Sequence, residues 1–224
     1  MKNFSIKILK KDLLIEFREK TSIINSLFFA FVTLIIFNFS FHPGSNSIKE
    51  AVSGILWIVI FFSGVLILKR GFEIEKENHT FEALLLIPDS HTSIYMGKLL
   101  SSLVILLFIE LILFPLWVIL FNVSFQRSIL FVIFTILVVD VGFVSLGVVL
   151  SAISLTFNLK DVIFTIIFFP LLIPLFIGAV KLTEISIIGG ELSSSYKWLK
   201  LITSFDIIFF WSGYLLFKFI TEER

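Results

Sequence analysis

The sequence has no cysteine among its 224 residues, which excludes a disulfide framework, a zinc–thiolate site and a cysteine-bound iron–sulfur cluster. It also lacks the GxxxxGK(S/T) phosphate-binding loop, so the chain is not itself a P-loop ATPase. Charged residues make up only 16% of the chain, and the net charge is +1. A net charge this close to zero gives no electrostatic basis for binding nucleic acid.

The chain is rich in apolar residues. They make up 58% of the chain, 29 of them are Phe, and the mean hydropathy is +1.06. A membrane-spanning helix needs about 20 mainly apolar residues. Six segments meet this requirement: 23–41, 51–68, 99–121, 129–155, 162–180 and 201–219. We therefore predict an all-α, polytopic membrane protein with six transmembrane helices, forming a single domain over residues 1–224.

The distribution of Lys and Arg predicts the orientation of these helices. With six spans, both termini lie on the same side of the membrane, and most of the 18 basic residues share that side. The other side holds Lys49, Arg127, Lys181, Lys197 and Lys200. Because cytoplasmic loops carry the excess of Lys and Arg, we expect both termini in the cytoplasm and the protein in the inner (cytoplasmic) membrane of the cell.

The N-terminal residues 1–21 are too charged for a signal peptide, and we expect them to remain on the mature protein. Apolar and basic residues alternate here in a pattern that fits an interfacial amphipathic helix, with its basic face toward anionic lipid. The alternative is a solvated basic tail. The apolar positions are Phe4, Ile8, Leu9, Leu13, Ile15 and Phe17.

Residues 69–98 are predicted to form a cytoplasmic loop between the second and third spans, and three interpretations of its many charges are open. It could be a positive-inside anchor through Lys69 and Arg70, although its acids do not serve that purpose. It could hold a metal or catalytic site built from His79, His91 and the glutamates, although their spacing matches no metal-binding motif. The third interpretation is a helix that docks a partner protein.

The sequence from Thr80 to Pro88 favours the docking helix. Thr80 can cap the start of a short helix, and Pro88 would end it by removing a backbone donor. Apolar side chains ringed by charge are typical of residues that bind a groove in a partner. The predicted docking residues are Glu73, Glu75, Thr80, Glu82, Leu84, Leu85 and Pro88.

Two motifs resemble the haem exporter protein B (CcmB) family. One is the cytoplasmic run TFEALLLIP (80–88), in which a Thr is followed two residues later by Glu and then by leucines and Pro. The other is PLLIPLFI (170–177), which has the family's PLxIPLxI pattern. The span count and chain length agree, so the resemblance covers essentially the whole sequence.

The resemblance implies an ABC-2-like permease architecture in which the loop 69–98 contains a coupling helix. It implies a non-catalytic membrane subunit that couples ATP hydrolysis to release of a haem-loaded chaperone during biogenesis of c-type cytochromes. The implied partners are a CcmA-like ATPase that binds the ATP, CcmC-like and CcmD-like membrane subunits, and a CcmE-like haem chaperone. Alternatives are the permease of another exporter, for a lipid or a drug, or a membrane scaffold unconnected with ATP; a homodimer is also open.

Several polar or helix-bending residues lie inside the predicted spans. Pro170 and Pro174 are four residues apart on one helix face, and they form either a hinge or a static kink. Glu110, Asp140 and Asp206 are costly in hydrocarbon, so we expect them to face the bundle, water or another subunit.

We expect the chain to bind no cofactor itself, with haem held by a partner subunit. His42 is the one histidine expected on the outer side, and we interpret it as a solvated turn residue rather than a haem ligand. We interpret Trp57, Trp117, Trp198 and Trp211 as interfacial anchors or packing residues.

Overall fold

A computed structural model describes residues 2–41, 46–77, 80, 84, 86–87, 91–156, 161–190 and 192–222. Within these ranges the chain forms seven long helices and no β-strand, which confirms the predicted all-α fold. The helices are α1 Lys2–Glu19, α2 Thr21–Ser40, α3 Asn46–Glu77, α4 His91–Leu120, α5 Ile129–Thr156, α6 Asp161–Ile188 and α7 Leu192–Glu222.

Helices α2 to α7 are each long and apolar enough to cross a membrane, so the prediction of six spans is confirmed by length and composition. Several helices extend beyond the predicted spans. Helix α3 continues nine residues past Leu68 to Glu77, and α4 begins at His91 rather than at residue 99. Hydropathy marks only the apolar part of a helix, and two causes extend these helices beyond it. Helix α3 continues through Lys and Glu, which are good helix formers. The extension of α4 is held by packing, since Ile94 and Tyr95 are fully buried.

The connection between α6 and α7 is also much shorter than the predicted spans imply. The spans 162–180 and 201–219 imply a loop over residues 181–200, but α6 runs to Ile188 and α7 starts at Leu192. Gly189 has φ +88°, a backbone conformation that glycine adopts without strain at a helix C-terminus. The backbone amides of Gln126 and Arg127, in the α4–α5 loop, both donate to the carbonyl of Ser186 near the end of α6.

Helix α3 lies at the centre of the bundle, in contact with α2, α4, α5 and α6. Of the residues in its most apolar stretch, 72% are buried, compared with 28% in α2 and 22% in α7. Helices α2 and α7 therefore lie at the periphery of the bundle. A displacement of α3 would change its packing against four neighbouring helices.

Aromatic side chains fill the centre around α3. The ring of Phe61 stacks on Phe143 of α5, with a centroid distance of 5.1 Å, and also contacts Phe176 of α6. Two tryptophans are fully buried and hydrogen-bonded: Trp57 donates to Thr183 at 2.9 Å and Trp117 to the carbonyl of Val52 at 3.1 Å. These two therefore pack inside the bundle, while Trp211 is 55% exposed.

The three intramembrane acids converge in the bundle. Asp140 of α5 interacts electrostatically with Glu110 of α4 and with Asp206 of α7, and all three residues are at most 9% exposed. Asp206 packs directly on the backbone of Gly142, where an added Cβ would overlap its carboxylate and reach 3.0 Å from Phe205. Glycine is therefore required at position 142 for the approach of α7 to α5.

This contact predicts opposite effects for two glycine-to-alanine substitutions. Gly142→Ala overpacks the α5–α7 contact and should lower the free energy of unfolding by about 1–3 kcal/mol. Gly54→Ala, in α3, introduces a Cβ that meets no atom within 4 Å and should raise it slightly, because alanine favours helix. Denaturant titration in detergent micelles measures both; equal effects would contradict the packing described for Gly142.

Candidate functional site

The N-terminal helix α1 packs lengthwise on α4, in the same direction. Ile8 contacts Gly97, Asp12 bonds Ser101, and the ring of Phe17 lies 5.4 Å from that of Phe108, so residue numbers rise together along both helices. At Gly97 an added Cβ would come within 2.7 Å of the Ile8 side chain. The glycine thus permits the close approach of α1.

The buried stripe of α1 contains acids. Ile8 and Glu16 are 2% and 4% exposed, and Asp12 lies between them at the same helical spacing. The amphipathic pattern of the sequence did not indicate this, because it assigned the apolar residues to one face and the charges to the other. The two acids point toward protein. Apart from Glu19, the exposed side chains that are described on α1 are basic or apolar.

Four charged residues form what we term the ion cluster: Lys11 and Asp12 of α1, Glu75 of α3 and Lys98 of α4. One carboxylate oxygen of Glu75 lies 2.5 Å from Nζ of Lys11 and 2.8 Å from Nζ of Lys98. Asp12 lies 3.1 Å from Lys11 and 3.2 Å from Lys98, and it accepts a hydrogen bond from Ser101. The ion cluster therefore joins three helices at one point.

Burial makes the ion cluster intolerant of an unpaired charge. Glu75 and Lys98 are 2% and 3% exposed, and Lys98 also lies 5.1 Å from the centre of the Phe72 ring. Burial alone lowers the pKa of Lys11, but the charges of Glu75 and Asp12 outweigh it and hold that pKa above its usual value. Two bases balance two acids, so the ion cluster is neutral as a whole.

A second polar contact fixes the bend between α1 and α2. Lys20 has φ 59° between the two helices, and the hydroxyl of Ser22 donates to the buried carboxylate of Glu16. Burial, reinforced by the charge of Glu19, raises the pKa of Glu16 above its usual value. Arg70 of α3 approaches Glu19 at 3.9 Å, so the bend is also held to α3.

The predicted docking residues fall in two different environments. Glu73 lies on α3, 3.7 Å from Arg70, and Glu75 is buried in the ion cluster, where it cannot reach a partner protein directly. Thr80 and Leu84 lie in the segment that follows α3. The Thr80 hydroxyl donates a hydrogen bond of 3.5 Å to the carbonyl of Glu75, so it satisfies a backbone acceptor near the end of α3. Glu82, Leu85, Pro88 and His79 lie outside the described residues.

Among the residues of this segment that the structure describes, Leu86 is 84% exposed and Ile87 beside it is 40% exposed. The amide of Ile87 donates to the carbonyl of Leu84 at 3.4 Å, which marks a turn. Leu84 itself packs against the core. The segment thus presents apolar side chains outward from a base that the ion cluster fixes.

The remaining predicted residues are not brought to this site. Pro170 and Pro174 lie on an exposed face of α6, which remains helical through both; Pro170 also lines an apolar groove of about 380 Å³ between α6 and α3. His42 lies outside the described residues, and His91 is the first residue of α4. In the described part of the chain, no group of three His, Cys, Asp or Glu could hold a metal ion.

The ion cluster is not evident from the sequence. The distribution of Lys and Arg places Lys11 and Lys98 among the cytoplasmic charges, and Glu75 falls among the predicted docking residues. The available signal was Lys98 itself, which immediately precedes the apolar residues of the third span and is spaced with Ser101 along one side of α4. Its partners are 23 and 86 residues away in sequence, so local periodicity could not identify them.

The fold and the site define a class: a helical membrane protein with six candidate spans, a packed N-terminal helix, and a segment with exposed apolar side chains between its second and third apolar helices. The CcmB protein family model matches residues 3–211. The chain therefore belongs to the CcmB family.

Curated relatives agree with this assignment. Heme exporter protein B of Escherichia coli is 26% identical over 95 residues, which are 42% of this chain and 43% of that protein. Heme exporter protein B of Shigella flexneri matches with the same identity and coverage. The matched region spans less than half the length of these relatives.

The ion cluster predicts a strong coupling between Glu75 and Lys98. Lys98→Met leaves one buried acid in excess and should lower the free energy of unfolding by about 3 kcal/mol. Lys98→Met combined with Glu75→Gln restores neutrality and leaves the Lys11–Asp12 pair, so the double variant should be more stable than the single one. Denaturant titration in micelles measures this.

The exposed pair Lys181–Glu184 provides the control, because its atoms are also close, at 2.7 Å, but Lys181 is 48% exposed. Lys181→Met should change the stability by less than about 1 kcal/mol. If the effects of Lys98→Met and Glu75→Gln simply add, the two residues are not coupled and the ion cluster is not a unit.

Proposed function

We propose that this chain is the membrane subunit of an ABC-type complex that serves the biogenesis of c-type cytochromes. Membership of the CcmB family supports this, as do relatives that are named for haem export. The absence of a phosphate-binding loop from the sequence is consistent with an ATPase on a separate chain, which we take to be CcmA-like.

The exposure of Leu86 is the main structural observation that supports the proposal. An apolar side chain that is 84% exposed is costly in water, and it lies in a turn at the end of a segment whose base is held by α3 and α4. Apolar anchors on a fixed support suit a groove on a partner protein. We infer that the ATPase binds residues 78–90, with Thr80, Glu82, Leu84, Leu85, Leu86 and Pro88 as candidate contacts.

The ion cluster suggests how such binding acts on the bundle. A force on residues 78–90 is applied to the ends of α3 and α4, which Glu75 and Lys98 join at 2.8 Å. Because α3 contacts four other helices of the bundle, its displacement alters the packing of most of the membrane domain. Glu75 is thus a positioning residue in this scheme, and Pro170 and Pro174 are candidate points at which α6 bends in response.

The remaining assignments follow from the same proposal. We place both termini in the cytoplasm and the protein in the inner membrane, together with CcmC-like and CcmD-like subunits and a CcmE-like chaperone. We place haem on those partners: His91, at the start of α4, is the one histidine that the described ranges include, and it lies beside the proposed ATPase contact rather than at the outer end of the bundle.

Capture of the ATPase tests this proposal. The purified chain should retain a co-expressed CcmA-like ATPase, and Leu86→Asp should reduce the retained amount at least tenfold by placing a charge in the apolar contact. Leu14→Asp is the matched control: Leu14 is also strongly exposed, at 71%, but lies on α1. This control should retain the ATPase.

Each other outcome favours a different interpretation. Loss of the ATPase from Leu14→Asp alone would move the docking site to α1. When the CcmC-like subunit is co-expressed as well, retention of the ATPase without that subunit would favour the permease of another exporter. Failure of the unmodified chain to retain any ATPase would contradict the ABC interpretation and favour a membrane scaffold.

A further inference from the structure

We propose that a small polar cavity between α1, α3 and α4 is an internal water-binding site, and that its water completes the hydrogen bonds of the ion cluster. The cavity has a volume of about 30 Å³, which is room for about two water molecules. The polar side chains that line it are Asp12, Glu16, Glu75, Lys98, Ser101 and Ser102.

The second carboxylate oxygen of Glu75 is the main observation behind this proposal. Its first oxygen, Oε1, contacts the ammonium groups of Lys11 and Lys98. The other oxygen, Oε2, is buried and has no hydrogen-bond donor among the described residues. A buried acceptor without a donor costs stability, so a donor is required here. Because Glu75 lines the cavity, a water molecule in it can supply that donor.

Other groups in the lining can satisfy the same water molecules. A buried water typically makes about three hydrogen bonds. The ammonium group of Lys98 has three N–H donors and two carboxylate partners, Glu75 and Asp12, so a third N–H can donate to water. The hydroxyl of Ser102, which is half-buried, can donate or accept. The cavity therefore offers water both donors and acceptors.

The cavity also connects two polar contacts that are otherwise separate. Glu16, at the bend between α1 and α2, lines the same cavity as Glu75. It accepts a hydrogen bond from Ser22, and carboxylate oxygens can accept more than one. Water that donates to both carboxylates would join the bend to the ion cluster without any further ion pair.

Charge balance favours water over a cation as the ligand. The two lysines of the ion cluster already balance its two acids. Over the ranges that the structure describes, no three His, Cys, Asp or Glu side chains are grouped so that they could hold a metal ion. A neutral donor therefore suits the free oxygen of Glu75.

Radiolytic hydroxyl-radical footprinting of the full chain in micelles tests the proposal, because radicals formed from bound water modify the side chains next to it. Phe72 and Phe61 are a matched pair: both lie on α3 and both are 4% exposed. Phe72 lines the polar cavity, whereas Phe61 lines the apolar groove between α3 and α6, which offers water no partners. Mass spectrometry should show Phe72 modified about ten times faster than Phe61.

A pair of glycine variants tests whether the signal comes from the cavity. Gly71 lines it, and a Cβ added there meets no atom within 4 Å, so Gly71→Ala can take up part of its volume. We expect this variant to lower the modification rate of Phe72 about threefold by displacing water. Gly54→Ala is the control, because Gly54 also lies on α3 with open space around its Cβ but does not line the cavity. It should leave the rate unchanged.

Two results would overturn the proposal. Equal modification rates for Phe72 and Phe61 would show that the cavity is dry. A fast rate for Phe72 that Gly71→Ala leaves unchanged, or that Gly54→Ala lowers equally, would show that the radicals come from solvent admitted by opening of the helices. Alanine favours helix, so both variants are expected to fold.

Discussion

The contact between Glu75 and Lys98 is the interaction on which the arrangement of α1, α3 and α4 at one end of the bundle depends. These two residues lie on α3 and α4, the helices that flank residues 78–90, and their charged atoms are 2.8 Å apart and almost fully buried. Removing either charge would leave the other buried and unpaired, which costs several kcal/mol of stability. Lys11 and Asp12 extend the contact to α1, so three helix segments are held together just beneath the apolar bundle.

We expect the helices of the bundle next to this contact to move together when α3 is displaced. Helix α3 is the most buried of the apolar helices and packs on four others through aromatic rings such as Phe61 and Phe143. Close-packed interiors transmit displacement rather than absorb it. The peripheral helices α2 and α7 have exposed apolar surfaces, which suit lipid or other subunits. A protein bound at Leu86 would therefore act on the whole bundle through the two helices at its centre.

The sequence predicted the number and approximate positions of the apolar helices, because the cost of transferring a segment into lipid depends on that segment alone. It did not predict their ends. Helix α3 continues into charged residues that favour helix, and the start of α4 at His91 is held by the packing of residues such as Ile94 and Tyr95. It did not predict the ion cluster either, since Lys11, Glu75 and Lys98 meet only after three helices have packed. The same limit applied to Asp12 and Glu16, whose inward orientation is set by neighbours on other helices. The docking residues around Glu82 and Pro88 stay predictions.

We infer that the ion cluster couples α1 to the segment between α3 and α4. The distance distribution between spin labels at Leu14→Cys and Leu86→Cys tests this coupling, measured by pulsed electron paramagnetic resonance on the full chain in lipid nanodiscs. We predict one narrow distribution, which Lys98→Met broadens and which Lys98→Met with Glu75→Gln narrows again. A distribution that is broad from the outset, or that Lys98→Met leaves unchanged, would contradict it.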